Sequence, residues 1–221
     1  MDWKIIDAES FDYVEVDLKA GERIRIQPGS YFMHKGEVEV NPKAVGGIGT
    51  SLKRMFLGGE SFFINEFTAV SSAKLYLAPS MPGQIKTVEL NNQQLIVKDG
   101  GYLASTADID ISTKFVGLKG LFTRSGFFWI NLSGTGKALI NTYGALLEIE
   151  VKENEKIYVD NTHLIAYEPS INIAIKKLGN LKTFFFGGEG IVFEITGKGK
   201  IYLQTRNIYH LQSIILRSQS K

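Results

Sequence analysis

The chain repeats itself. Shifting it by 71 residues lays Pro28-Gly29-Ser30-Tyr31 on Asp99-Gly100-Gly101-Tyr102, and the same shift carries Glu37-Val38-Glu39-Val40 onto Asp108-Ile109-Asp110-Ile111. Lys43-Ala44-Val45-Gly46 falls on Lys114-Phe115-Val116-Gly117. A third copy follows about 62 residues later, with Asp160 beside Asp99, Ser170-Ile171-Asn172-Ile173 beside the acidic strand, and Lys176-Lys177-Leu178-Gly179 beside Lys114 to Gly117. The later part of each copy repeats as well: Ala73-Lys74-Leu75-Tyr76-Leu77, Gly136-Lys137-Ala138-Leu139-Ile140 and Gly199-Lys200-Ile201-Tyr202-Leu203. Short alternating segments always resemble one another, but order and spacing kept across four segments argue for true repetition. Three units follow, at about 12–81, 84–143 and 146–206, within one domain.

Inside a unit the period is two. Val14-Glu15-Val16-Asp17-Leu18, Ile24-Arg25-Ile26, Val88-Glu89-Leu90 and Ile149-Glu150-Val151 alternate apolar and polar residues, as half-buried antiparallel strands do. Lys19-Ala20-Gly21-Glu22, Asn91-Asn92-Gln93 and Lys152-Glu153-Asn154-Glu155 recur between them and read as hairpin turns, with Gly or Asn available for positive φ. Many short strands at this spacing predict an all-β sandwich or barrel of three units about a pseudo-threefold axis. Two departures are expected. Asn207 can cap a C-terminal helix over about 207–217, with Ile208, Leu211, Ile214 and Ile215 on one side, and Thr50 or Ser51 can open a short helix from Leu52 to Phe56.

Several segments together resemble a known family: Gly58-Gly59-Glu60-Ser61-Phe62-Phe63, the Ala78-Pro79-Ser80-Met81-Pro82-Gly83 turn, Val97 to Ala104, and the closing Leu203-Gln204-Thr205-Arg206. Their order is similar to that of the altered-inheritance-of-mitochondria, or mitochondrial biogenesis, family, and the likeness covers nearly the whole chain. The resemblance implies a fold like the tryptophan RNA-binding attenuation protein (TRAP-like), a small double-stranded β-helix repeated within one chain. It implies no activity. Prokaryotic members have unsettled roles, mitochondrial members are linked to inner-membrane organisation, and no catalytic residues carry over. The second unit departs from the pattern, with Thr123-Arg124-Ser125-Gly126 in place of Gly-Glu-Ser.

Candidate chemistry is thin. His34, His163 and His210 do not correspond under the repeat, so they make a poor imidazole metal set. Glu37 with Glu39 and Asp108 with Asp110 place two carboxylates on one strand face, which reads as a solvated face because Ser170 and Asn172 break the pattern. The Gly-rich stretches from Gly46, Gly134 and Gly197 lack phosphate-loop or dinucleotide spacing and read as hairpin turns, and neither a serine-hydrolase elbow nor a zinc-protease motif occurs. No cofactor is implied. With no cysteine, thiolate chemistry and disulfides are also out, which fits a reducing compartment.

Charge is where the pattern rises above noise. The chain carries only +2 overall, far from a dedicated nucleic-acid module. Yet the connections 43–60, 114–126 and 176–190 hold nine cations against Glu60 and Glu189, and the remaining residues sum to −5. Large apolar residues accompany those cations. The candidate contact set is Lys53, Arg54, Phe56, Lys119, Phe122, Arg124, Lys176, Lys177, Lys182 and Phe185. Three partners fit such a set: an anionic membrane surface, a protein, or RNA bound by stacking and phosphate contact. The competing reading is structural, with aromatics plugging the ends of each unit and lysines keeping those ends soluble. A non-enzymatic binding or scaffolding protein is the primary expectation, an RNA-binding module the alternative and a small-molecule enzyme the third. No apolar run reaches the roughly 18–20 residues that span a bilayer, so the chain reads as cytoplasmic with peripheral membrane contact at most. Edge strands left by antiparallel units suggest a homo-oligomer, with the apolar face of the C-terminal helix helping to bury an interface.

Overall fold

A strand with one buried face forms where apolar side chains recur at every second residue, because successive Cβ atoms point to opposite faces. The alternating segments do become strands in the computed structural model, which describes residues 1–7, 11–45, 63–114, 129–177 and 191–219. Among the described residues the fold is all-β, in antiparallel sheets, with a C-terminal helix. Strands β1 (Asp2–Ile6), β2 (Tyr13–Leu18), β3 (Arg23–Ile26), β4 (Tyr31–Lys35), β5 (Val38–Ala44), β6 (Phe63–Ala69) and β7 (Ala73–Leu77) come first. Then follow β8 (Ile85–Lys98), β9 (Tyr102–Thr106), β10 (Ile109–Lys114) and β11 (Trp129–Asn141). The last are β12 (Leu146–Val151), β13 (Ile157–Asp160), β14 (Leu164–Tyr167), β15 (Ile171–Lys177), β16 (Ile191–Gly197), β17 (Gly199–Gln204) and the helix α1 (Ile208–Gln219).

One pairing scheme occurs three times along the chain. In the first stretch β7 lies between β2 and β4, while β6 lies between β3 and β5. In the last, β17 lies between β12 and β14, and β16 between β13 and β15. The middle stretch does the same with fewer, longer strands: β11 pairs with β8 along its whole length, with β10 through its first half and with β9 through its second. Each scheme even carries the same bulge, between Tyr31 and Met33, Tyr102 and Ala104, and Leu164 and Ala166.

The turns expected to close hairpins do something else. Gly21, Asn92 and Asn154 do take positive φ, at 81°, 56° and 64°. However, β2 pairs with β7 while β3 pairs with β6, so the chain turns a corner at Gly21 and passes into another layer. At Asn92 the strand does not break at all, and β8 runs through it. The stretch from Gly134 likewise lies inside β11, and Lys198 joins β16 to β17 as a corner. The hairpin readings of these described stretches are therefore corrected, while the stretch from Gly46 lies outside the described residues: a turn residue fixes a bend, but partner strands decide whether the bend folds the chain back on itself.

Two layers close on each core. Val14, Val16 and Leu75 from one layer meet Ile24, Ile26 and Phe67 from the other, all buried, together with Leu103 and Leu139 of the next stretch. Burying one such side chain contributes about 1.5–3 kcal/mol. A second cluster centres on Leu95, Val97, Ile109, Ile130 and Leu132, and a third on Val151, Val159, Phe193, Ile195 and Ile201. The clusters interlock because layers continue across stretches: β3 pairs with β9, and β8 pairs with β14. Helix α1 begins directly after Asn207, and its Ile214, Ile215 and Leu216 stay exposed. The proposed short helix at Leu52–Phe56 lies outside the described residues. Among those described, no helix is long and apolar enough to cross a membrane.

Candidate functional site

The three basic connections start from matching places. Each leaves a strand pair at its closing register position: Ala44 opposite Phe63, Lys114 opposite Trp129, and Lys177 opposite Ile191. Lys53, Arg54, Phe56, Lys119, Phe122, Arg124, Lys182 and Phe185 themselves lie outside the described residues, as do Glu60 and Glu189. Lys176 and Lys177 end β15.

Strand carboxylates answer part of the basic charge. Lys43 Nζ lies 2.7 Å from Glu66 Oε1, and Lys176 Nζ lies 3.7 Å from Glu194 Oε1. Glu66 and Glu194 occupy the same place in the scheme, on the strand beside the lysine. Sequence arithmetic missed this because both carboxylates fall just beyond the connections.

Glu66 is the most densely paired carboxylate described. Burial pushes its pKa up, but hydrogen bonds from Lys43 and Arg25, with the nearby charge of Arg23, hold it below the ordinary range. Arg25 Nη1 also donates to the Ile109 carbonyl at 2.6 Å, tying β3 to the next stretch. Lys98 is the opposite case. It is buried on β8, and desolvation pulls its ammonium down to about 8 against the attraction of Asp160 and Asp99.

A groove of about 600 Å3 runs between β8 and the β12–β17 pair. Glu148 sits in it, with Lys86 Nζ at 2.6 Å and Lys200 Nζ at 2.8 Å. Hydrogen bonds from Lys200 and Lys86 hold Glu148 below the usual carboxylate range. Such a group stays charged at neutral pH and offers no proton for general acid catalysis. The histidines do not gather. His34 is exposed on β4 with Nδ1 2.5 Å from Tyr31 Oη, His163 Nδ1 meets the Gln204 carbonyl at 2.6 Å, and His210 is exposed on α1. Glu37, Glu39, Asp108 and Asp110 are all exposed. Among the described residues no group of three His, Asp or Glu side chains could hold a metal ion.

One surface escaped the sequence reading. Phe32 and Met33 on β4 are exposed, and Phe32 is flanked by Tyr13 and Tyr76 with ring centroids 6.4 and 6.1 Å away. Aromatic residues in a strand signal burial, so nothing in the local sequence marks this pair as a surface.

Comparison with known proteins gives the chain relatives without activities. The sequence pattern of the mitochondrial biogenesis AIM24 family matches residues 3–206. An uncharacterised protein of Streptococcus pyogenes serotype M6 is 31% identical over 216 residues, covering 94% of this chain and 86% of the relative. An X-ray crystal structure of another Streptococcus pyogenes protein is similar at a TM-score of 0.82 and 28% identity, covering 98% of this chain and 99% of that one.

Proposed function

This chain belongs to the mitochondrial biogenesis AIM24 family, and we propose that it is a non-enzymatic binding protein that presents three basic, aromatic connections to an anionic membrane surface. The observation that carries this reading is the common origin of the connections, each leaving the closing pair of a corresponding strand pair. Segregated charge gives the molecule an orientation in any field before contact. Each Lys or Arg close to an anionic surface adds about 1 kcal/mol, and apolar residues beside it can insert among the headgroups. Solubility alone needs no aromatics, and packing alone needs no cations. The carboxylates of the groove and of Glu66 are held charged by neighbouring cations, which favours a structural use for them over proton transfer.

Co-sedimentation with vesicles tests this. Vesicles rich in phosphatidylserine should pellet the protein at low salt and release it in 0.5 M salt, because screening shortens to a few ångströms. Replacing Phe56, Phe122 and Phe185 together with Ser should abolish the binding. The reading is overturned if anionic and zwitterionic vesicles behave alike, or if single-stranded RNA binds in a salt-dependent way while vesicles do not.

A further inference from the structure

Twice within the chain a strand from one stretch pairs with a strand of the next, and the third such pairing is missing. β3 pairs with β9, placing Arg25 opposite Ser105 and Ile26 opposite Ala104. β8 pairs with β14, placing Ile96 opposite Tyr167 and Val97 opposite Ala166. These are the same junction, with every participant displaced by 71 residues on one side and 62 on the other. Continued once more, the rule names the strands that should come together next: β13 from the last stretch and β4 from the first.

Among the described residues, both strands end their sheets at the edge in question. β13 ends a three-stranded sheet of order β13-β16-β15, and β4 ends a four-stranded sheet of order β1-β2-β7-β4. The internal junction joins two such half-sheets into one, in the order β5-β6-β3-β9-β11. The orphan halves are thus the two complements of a sheet that the chain builds elsewhere.

Exposure marks the missing partner. Phe32 and Met33 are 55% and 39% exposed, whereas their counterparts Leu103, Ala104 and Ala166 are 0% exposed and Ile165 is 4% exposed. Tyr158 on β13 is 57% exposed, whereas its counterpart Ile96 is 0% exposed. At the Tyr158 position the other counterpart, Arg25 on β3, is partly covered, with 21% of its side chain exposed.

We propose that copies of this chain join head to tail, β13 of one adding to β4 of the next. The register follows from the internal examples, with Tyr158 opposite His34 and Val159 opposite Met33. Unpaired strand edges with apolar neighbours are templates for such addition, and main-chain hydrogen bonds supply much of its affinity. Because the two surfaces differ, the contact is heterologous, and it closes into a ring or runs on as a filament according to the rotation per copy.

The chain contains no cysteine, which makes the register testable by cross-linking. Directly opposed residues on antiparallel strands have Cα atoms about 5.5 Å apart, within disulfide reach. His34→Cys and Tyr158→Cys alter exposed side chains and leave the buried cores untouched. After mild oxidation, a mixture of the two variants should give a disulfide-linked dimer, and neither variant alone should. The double variant should give a ladder of multiples of the 24.6 kDa chain. Light scattering of the unmodified protein at micromolar concentration should likewise report a multiple of that mass, reduced by Met33→Lys with thermal unfolding still cooperative. The proposal is overturned by a monomeric mass, by self-linked single variants, or by a double variant whose disulfide closes within one chain.

Discussion

Replacing Lys98 with Met should stabilise the protein, by an amount that depends on pH in a defined way. The ammonium is buried, and its pKa falls from 10.5 to about 8 on folding. At roughly 1.4 kcal/mol per unit, keeping it charged costs about 3 kcal/mol near neutral pH. Methionine keeps the aliphatic length and volume but carries no charge, so it should recover most of that cost. The sign follows from proton counts. Between pH 8 and 10.5 the unfolded chain binds the proton and the folded one does not, so the wild type gains stability as pH rises through that window. Urea denaturation of both proteins should give a difference of about 3 kcal/mol at pH 7 that shrinks to about 1 kcal/mol at pH 10. Comparing the two proteins at each pH cancels tyrosine ionisation, which they share. A difference that stays constant with pH, or a variant less stable than wild type at pH 7, would refute the reasoning: Lys98 would then be held by interactions that outweigh its desolvation.

Glu66→Gln removes the carboxylate that three cations share, and at pH 7 it should cost about 1–3 kcal/mol by chemical denaturation. Because the folded pKa is depressed, the contribution of Glu66 is fully present above its ordinary value of 4.5 and is lost as pH falls through the lower folded value, so the two proteins should converge in acid. Gly36→Ala and Gly29→Ala form a matched pair, since both glycines have φ near +86°, at 87° and 85°. A Cβ on Gly36 would lie 2.4 Å from the Ser72 carbonyl oxygen while one on Gly29 meets nothing within 4 Å; thermal unfolding should show a loss of about 1 kcal/mol for Gly29→Ala and at least twice that for Gly36→Ala.

How much of this was legible in the sequence varies by level. The alternation at Val14 to Leu18 and Ile149 to Val151 gave strands, and Gly21, Asn92 and Asn154 gave bends, because both are local consequences of side-chain geometry. Pairing was not local. Asn92 looks like a hairpin tip, yet β8 passes through it because β11 offers one continuous partner on the far side. The exposure of Phe32 was equally invisible, since Leu103 at the matching position is buried; the two differ in their lateral neighbour, with β3 paired beside β9 while β4 ends its sheet among the described residues. For the basic connections, sequence shows the charge and the aromatics, and the structure adds where each connection leaves the sheets. The pairing of Lys43 with Glu66 could have been anticipated only by knowing that β5 runs beside β6.

The long strands β8 and β11 set how the molecule comes apart. Each crosses from one layer to the other without a break, and between them they share hydrogen bonds with β9, β10 and β14. An opening that frees either strand must therefore disturb both layers and the junctions on either side, so its free energy approaches that of global unfolding. The outer stretches are built from short strands linked by corners, and among the described residues β1, β5 and β15 each have a neighbour on one side only. Amide protons there can exchange through small, independent openings. The chain is thus a cooperative centre flanked by two looser ends, and those ends carry β4 and β13, the strands on which the proposed contact between copies rests.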